Sequence, residues 1–295
     1  MEKDRVQNPG RRKFLKLGMY TAVGTAAAVG VGSFLNANNL LPHVDSDIPN
    51  INKANPDVPD DPNKHWGFVI DLSKCDACEN LKAPEDDPAG EKPRCSYACR
   101  KYHNFLGAKY PQYWIRVYEL EGSRGVENFN FPKPCQNCQD APCKRVCPTG
   151  ATYQRKDGTV LINHDICIGC RICMAACPYE TRFFWYDDPP KNQAVEIKEY
   201  YPEYPAIHQK GTVAKCDLCV HQSYKNQLPH CVSACPTGAL YFGDFNEDIV
   251  SNGREKIPLH ETINNRFGYR YKEDEGTETS VYYLPKIRSD EEKNE

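Results

Sequence analysis

The sequence has no marked excess of charge of either sign. Lys and Arg together number 37 and Asp and Glu 40, for a net charge of −3. The electrostatic footprint that a nucleic acid or an anionic membrane surface calls for is therefore missing, and no nucleic-acid partner is expected. Also missing are a phosphate-cradling Gly-rich loop, a metal-hydrolase signature and a Ser/His/Asp arrangement around a nucleophile. These gaps leave no first case for nucleotide-driven, metal-hydrolytic or acyl-transfer chemistry. Forty per cent of the residues are hydrophobic, enough for an ordinary core, but 23 prolines and 19 glycines predict a loop-rich chain.

What the sequence does hold is cysteine, 16 in 295 residues. The central stretch contains Cys135-x-x-Cys138-x4-Cys143-x3-Cys147-Pro148, then Cys167-x-x-Cys170-x-x-Cys173-x3-Cys177-Pro178. Eight cysteines so spaced resemble the ligand set of a two-cluster bacterial-type ferredoxin, with an enlarged gap in the first run. Three thiolates at Cys-x-x-Cys-x-x-Cys spacing reach three irons of one cubane. The fourth, followed by Pro, serves the other cluster, so the two runs brace each other.

Two further groups flank this stretch: Cys75-x-x-Cys78-x16-Cys95-x3-Cys99, and Cys216-x-x-Cys219-x11-Cys231-x3-Cys235-Pro236. An internal repeat orders them. Val69-Ile-Asp-Leu-Ser-Lys-Cys75 matches Leu161-Ile-Asn-His-Asp-Ile-Cys167 in register, and Cys147-Pro-Thr-Gly-Ala-Thr-Tyr153 matches Cys235-Pro-Thr-Gly-Ala-Leu-Tyr241. Groups one and three are thus one kind of half-module, and groups two and four the other. The expected fold is α+β: two ferredoxin-like two-cluster modules, one inserted between the halves of the other. The inner module spans about 130–180 and the outer about 65–105 plus 212–245, within a four-cluster domain at 65–245. The bracing rule then gives four [4Fe–4S] clusters. Cys135, Cys138 and Cys143 pair with Cys177, and Cys167, Cys170 and Cys173 with Cys147. In the outer module Cys75, Cys78 and Cys95 pair with Cys235, and Cys216, Cys219 and Cys231 with Cys99. No cysteine is left over, so none remains as a nucleophile and no cluster keeps an open iron for catalysis.

Other uses of cysteine fit less well. Structural zinc takes four thiolates at similar spacing but does not need Cys-x-x-Cys-x-x-Cys-x3-Cys-Pro. Disulfides have no use for Cys-x-x-Cys repeated this densely. A redox-silent structural role would hardly need four clusters in series, and a catalytic iron–sulfur enzyme would need an incomplete ligand set.

Residues 1–40 resemble a twin-arginine export signal. Arg11-Arg12 stands in Gly10-Arg-Arg-Lys-Phe-Leu-Lys16, followed by a weakly apolar run from Leu17 to Leu35. That route carries proteins already folded with their cofactors, which implies a periplasmic location. No clean Ala-x-Ala follows, and the run is about long enough to span a bilayer, so cleavage and retention as an anchor both stay open. Residues 41–64 read as a linker and 246–295 as a C-terminal extension, polar apart from Val281–Leu284, with a charged tail from Ser289.

Short strands at 67–72 and 160–163 are expected to lead into cysteine loops, with helical turns at the Cys-x3-Cys ends. Gly169 is expected to let backbone N–H groups face cluster sulfurs. Val146, Ile166, Ile168, Ile172 and Met174 are expected to shield clusters from water. Phe183–Tyr186 reads as packing and Tyr200–Pro205 as a docking surface or a covering loop. His103, His164 and His230 read as hydrogen-bonding loop residues rather than ligands.

Over residues 65–285 the chain resembles the four-cluster iron–sulfur subunits of polysulfide, dimethyl sulfoxide and tetrathionate reductase complexes and related membrane-bound respiratory complexes. The resemblance rests on Pro134-Cys135-x-x-Cys138, the Cys-Pro-Thr-Gly-Ala repeats, Cys167-Ile-Gly-Cys170-Arg171 and the Val281-Tyr-Tyr-Leu284 end. Ala98-Cys99-Arg100-x-x-His103-Asn104 is similar to the periplasmic subunit of the sulfite-reductase-linked membrane complex. The long insertion between Cys78 and Cys95 departs from the family's tight first group. The resemblance implies a wire for single electrons between a polytopic quinone-reactive membrane subunit and a molybdopterin catalytic subunit or a multihaem cytochrome c.

Overall fold

The computed structural model describes residues 57–79, 91–122, 128–190, 200–203 and 208–286. The twin-arginine segment, the linker up to residue 56 and the tail from Ser289 lie outside them. The described residues all belong to one unit, Asn52–Glu295.

Each cysteine group is entered along one short strand and left along another. Strand β1 (Trp66–Asp71) leads to Cys75 and helix α1 (Arg94–Tyr102) carries Cys95 and Cys99. Strands β2 (Ile115–Leu120) and β3 (Phe129–Pro134) form a hairpin leading to Cys135, and helical turn α2 (Pro142–Arg145) holds Cys143. Strands β4 (Thr152–Gln154) and β5 (Val160–Ile162) form the next hairpin, followed by turn α3 (Ile172–Ala175) with Cys173. Strands β6 (Arg182–Phe184) and β7 (Val213–Lys215) make the third, followed by turns α4 (Val220–Ser223) and α5 (His230–Ser233), the latter with Cys231. Strand β8 (Leu240–Asp244) leaves group four and returns antiparallel to β1.

The two halves of the sequence repeat occupy the same place in their strand pairs. Tyr153 faces Leu161 in β4–β5, and the matching residues Tyr241 and Val69 face each other in β8–β1. In every group a helix or helical turn holds the third cysteine, and the fourth follows about one turn later. Groups two to four then meet a Pro, which cannot continue a helix. Group one has Arg100 in that place, and α1 runs on to Tyr102.

Residues 246–286 are no appendage. Strands β9 (Ile249–Ser251), β10 (Lys256–Pro258), β11 (Tyr269–Arg270) and β12 (Val281–Leu284) join β1 and β8 in one six-stranded sheet, ordered β10-β9-β8-β1-β12-β11. Strand β12 lies parallel to β1. Side chains alternate with the period-two rule. Phe68, Ile70, Leu240, Phe242 and Tyr283 face the core that contains Cys95, Cys99, Cys216 and Cys231. Val69, Tyr241, Val250 and Leu284 face the other way, where Leu259 of helix α6 (Leu259–Asn265) covers them.

The same segment clamps the second cysteine loop. Ser280 N–H donates to the Gln136 carbonyl at 2.9 Å and Gln139 N–H to the Glu278 carbonyl at 2.8 Å. The fully buried Tyr283 hydroxyl donates to the Pro132 carbonyl at 3.1 Å and accepts from Gln136 Nε2 at 3.2 Å. At the other end of the chain, Val58 is buried against Leu161 and Val220, and Arg155 donates to the Val58 and Pro59 carbonyls. The C-terminal part of the expected linker is therefore docked onto the fold. Four apolar residues in the extension gave too weak a periodic signal to show that sheet membership.

Tyr283→Ala removes a buried aromatic and its bridge to the Cys135 loop. It is expected to cost about 3–5 kcal/mol, and Tyr283→Phe about 1 kcal/mol, in anaerobic denaturant unfolding of the loaded protein.

Candidate iron–sulfur centres

The four Cys-x-x-Cys loops share a backbone device. The residue before the second cysteine has positive φ in every one: Ala77 (51°), Asn137 (44°), Gly169 (67°) and Leu218 (58°). Left-handed backbone is easy for Gly and tolerable for Asn, but strained for Ala and Leu. The repeated geometry curls the loop and turns successive N–H groups to one side. Asp76 and Asp217 fasten two of the loops, accepting from the N–H of Cys78 at 2.8 Å and of Cys219 at 3.0 Å. At Gly169 no side chain fits in any case, since a Cβ would stand 2.0 Å from the Gly211 carbonyl oxygen.

The loops bring the thiols together in sets. Cys75, Cys78, Cys95 and Cys235 lie within electrostatic range of one another. So do Cys99, Cys216, Cys219 and Cys231, and Cys135, Cys138, Cys143 and Cys177. Cys167 and Cys173 pack around Ile162 and Val213. Cys147 and Cys167 are half-buried, and Cys170 alone of the sixteen is exposed. Cys95, across the long insertion, is buried among the thiols of groups one and four.

Burial dominates the chemistry of most of these groups. It pushes Cys75 up to about 11 and Cys138 and Cys231 to about 12, and holds Cys95, Cys99, Cys216 and Cys219 well above the ordinary thiol value. Neighbouring thiols add to the rise. Cys147 goes the other way. Burial would raise it, but the N–H groups of Thr152, Thr149 and Ala151 and the Thr149 hydroxyl outweigh that and lower it. Thr152 N–H donates to its sulfur at 3.4 Å.

Hydroxyls attend two further closing cysteines: Thr181 stands 3.7 Å from Cys177 and Thr237 3.7 Å from Cys235. His103, buried at the end of α1, places Nε2 3.4 Å from Cys219 Sγ. Desolvation pulls its pKa down to about 3, so it is neutral at physiological pH. His230 stacks on Tyr102 with ring centroids 4.0 Å apart. The Tyr200 hydroxyl accepts from His164 N–H at 2.7 Å and Glu203 pairs with Arg155, so residues 200–203 act as a cover.

Two expectations change. Ile168 and Ile172 are not buried: they are 66% and 49% exposed, and Tyr186 is 52% exposed. Their loop stands at the surface, and its spacing alone carries no burial signal. Trp185 packs internally against Phe105 and His208, as the aromatic run predicted, but Tyr186 does not. The sequence reading also missed Arg182 and Lys215, both 4% exposed. A cation directly before Cys216 and another five residues after Cys177 were the available signals.

The donor chemistry fits an iron–sulfur centre. Thiols crowded and buried in this way would stay protonated on their own and ionise only against a cationic core. N–H and hydroxyl donors aimed at sulfur suit thiolates, which can only accept. Among the described residues one small cluster could also be drawn as a separate metal site, His103, Asp217 and Cys219, but it shares Cys219 with the second set above.

Comparison with known proteins agrees. The 4Fe-4S dicluster domain matches residues 126–189 and 185–245, which defines an iron–sulfur protein of the ferredoxin class with four [4Fe–4S] clusters. A selenate reductase subunit of Mesobacillus selenatarsenatis is 34% identical over 232 residues, 74% of this chain and 71% of the relative. The iron–sulfur subunit of the arsenate respiratory reductase of a Shewanella species is 33% identical, covering 74% and 95%. The iron–sulfur cluster-binding subunit of the menaquinone reductase of Nitratidesulfovibrio vulgaris is 30% identical, covering 74% and 88%. The chain belongs to this family of iron–sulfur electron-transfer subunits of reductase complexes. Among the described residues no helix is long and apolar enough to cross a membrane.

Because many of the thiols lie in the core and two buried cations lie beside them, the fold is expected to depend on its clusters. Stripping iron with chelator and oxidant is expected to abolish the cooperative thermal transition and expose dye-binding apolar surface. Retention of a native-like transition in the iron-free chain would contradict this.

Proposed function

We propose that the sixteen cysteines hold four clusters in a linear order and that the chain conducts electrons from one end to the other. The carrying observation is the gathering of the thiols into neighbouring sets. The first cluster takes Cys75, Cys78, Cys95 and Cys235, and the second Cys99, Cys216, Cys219 and Cys231. Helix α1 and turn α5 link these two. The third takes Cys135, Cys138, Cys143 and Cys177; Cys135 lies within electrostatic range of Cys216. The fourth takes Cys147, Cys167, Cys170 and Cys173, one helical turn from the third.

The module reading has the same support. The first domain match, 126–189, contains eight cysteines, while 185–245 contains only Cys216, Cys219, Cys231 and Cys235. A two-cluster unit needs eight, and the remaining four stand at 75–99. The equal registers of β4–β5 and β8–β1 favour pairing group four with group one, around the inserted inner module.

The fourth cluster is the port to a partner. Cys170 is exposed in a loop whose Ile168 and Ile172 are exposed too, and the neighbouring Arg171 reaches the exposed Tyr186; apolar side chains at the surface suit a subunit contact. We assign this end to a polytopic quinone-reactive membrane subunit. The other end then faces a molybdopterin catalytic subunit or a multihaem cytochrome c. The names of the relatives, reductases of selenate, arsenate and menaquinone, favour such an assembly. The twin-arginine segment supports export of the folded, loaded chain to the periplasmic face of the membrane.

Two tests apply. Cys147→Ser is expected to damage the cluster on Cys167, Cys170 and Cys173, detected by electron paramagnetic resonance; loss of the cluster on Cys135–Cys143 instead would reverse the bracing. Anaerobic purification from native membranes in gentle detergent is expected to recover a polytopic subunit together with molybdenum or haem. Recovery of a lone soluble chain would end the membrane-complex reading.

A further inference from the structure

Strands β6 and β7 pair Arg182 directly with Lys215. Like charges opposite each other on a ladder are destabilising, and this pair is almost wholly buried, each residue 4% exposed. Neither forms an ion pair with a carboxylate among the described residues. Arg182 donates through both terminal nitrogens to the neutral Thr152 hydroxyl, at 3.1 and 3.2 Å, and its Nε has no acceptor there. Lys215 Nζ donates to the Cys216 carbonyl at 2.7 Å. Asp217 lines the same small cavity as Lys215 without pairing with it. Two buried cations with so little compensation are costly to keep charged in the interior.

Their other neighbours are thiols. The Arg182 guanidinium lies close to Cys173 and in electrostatic range of Cys143 and Cys135. Lys215 acts on Cys143 and Cys216. The pair thus stands where the second, third and fourth proposed clusters meet, and far from Cys75 and Cys78 in the order of sets. A [4Fe–4S] core held by four thiolates is net negative and gains one more negative charge on reduction, so a nearby fixed cation favours the reduced form.

We propose that Arg182 and Lys215 are a paired cationic relay post: they neutralise the clusters around them and raise the reduction potentials of the middle and exposed end of the wire relative to the first cluster. Neither residue touches iron; each acts through the ligand sulfurs, as a positioning residue. On reduction one electron enters a cluster and no bond is made or broken. The inference rests on the ligand sets proposed above.

The test is anaerobic redox titration of the complete protein, each cluster followed by electron paramagnetic resonance, in Arg182→Met, Lys215→Met and the charge-keeping Arg182→Lys. Iron and sulfide analysis first establishes that all four clusters are present. Arg182→Met is expected to shift the third and fourth clusters to lower potential and Lys215→Met the second and third. The first cluster should stay in place, and Arg182→Lys should restore most of the wild-type value. Fully loaded Met variants with unmoved potentials would overturn the relay post and leave the ligand sets standing. Downward shifts in the first cluster as large as in the others would also overturn it, since a general loosening would then explain them. If a Met variant fails to load, Arg182→Lys and Lys215→Arg decide: loaded protein with near-wild-type potentials supports the charge role, and loaded protein with potentials lowered despite the retained charge overturns it. A wild-type chain carrying fewer than four clusters would sink the ligand sets and this inference together.

Discussion

Four thiolates confined to one small, water-poor volume repel one another, and the repulsion grows as the local dielectric falls. A protein that crowds thiols together repeatedly has to neutralise them, and this chain does so at several levels. The iron core supplies most of the opposing charge. Around it the chain adds N–H groups from left-handed loop residues, hydroxyls from Thr149, Thr181 and Thr237, and the imidazole of His103. Arg182 and Lys215 bring whole charges into the interior. The dependence is mutual: thiols pushed this far above their ordinary range cannot ionise without the metal, and the cations have little else to face.

Helical turns solve a second problem, that of distance. In each group the third and fourth cysteines stand four residues apart, on one face of a turn, with about 5–6 Å between their Cβ atoms. When the two serve different clusters, one turn of backbone fixes the gap between neighbouring centres. Pro after the fourth cysteine ends the turn in groups two to four. In group one Arg100 takes its place, and the longer α1 carries His103 to Cys219 of group four. A local difference at one position thus becomes a contact between the first and last cysteine groups.

Burial differs among the thiols. Cys95, Cys99, Cys135, Cys216 and Cys231 sit in the main core under the six-stranded sheet, while Cys170 reaches the surface in a loop with exposed Ile168 and Ile172. Burial of a thiol slows loss of electrons to solvent, and exposure permits close approach from outside. The C-terminal strands contribute by closing the sheet beside β1 and by holding the Cys135–Cys138 loop through Ser280, Glu278 and Tyr283.

The cysteine spacings, the repeat that relates groups one to three and two to four, and the strands leading into the loops were all legible in the sequence, because each depends on residues a few positions apart. Cluster chemistry follows from such local spacing, since a cubane accepts only loops of certain lengths. Other features were not legible. Ile168 and Ile172 look like shielding residues until the loop is seen at the surface, and residues 246–286 look like an extension until β12 is found parallel to β1. Arg182 and Lys215 are ordinary surface residues by type, and only the β6–β7 register and the packing around it bury them beside thiols. The sequence by itself determined what the chain binds and in what number, through covalent spacing. Tertiary structure alone decided which cluster meets solvent and which charges stand beside it, because burial and long-range register depend on every element packing at once.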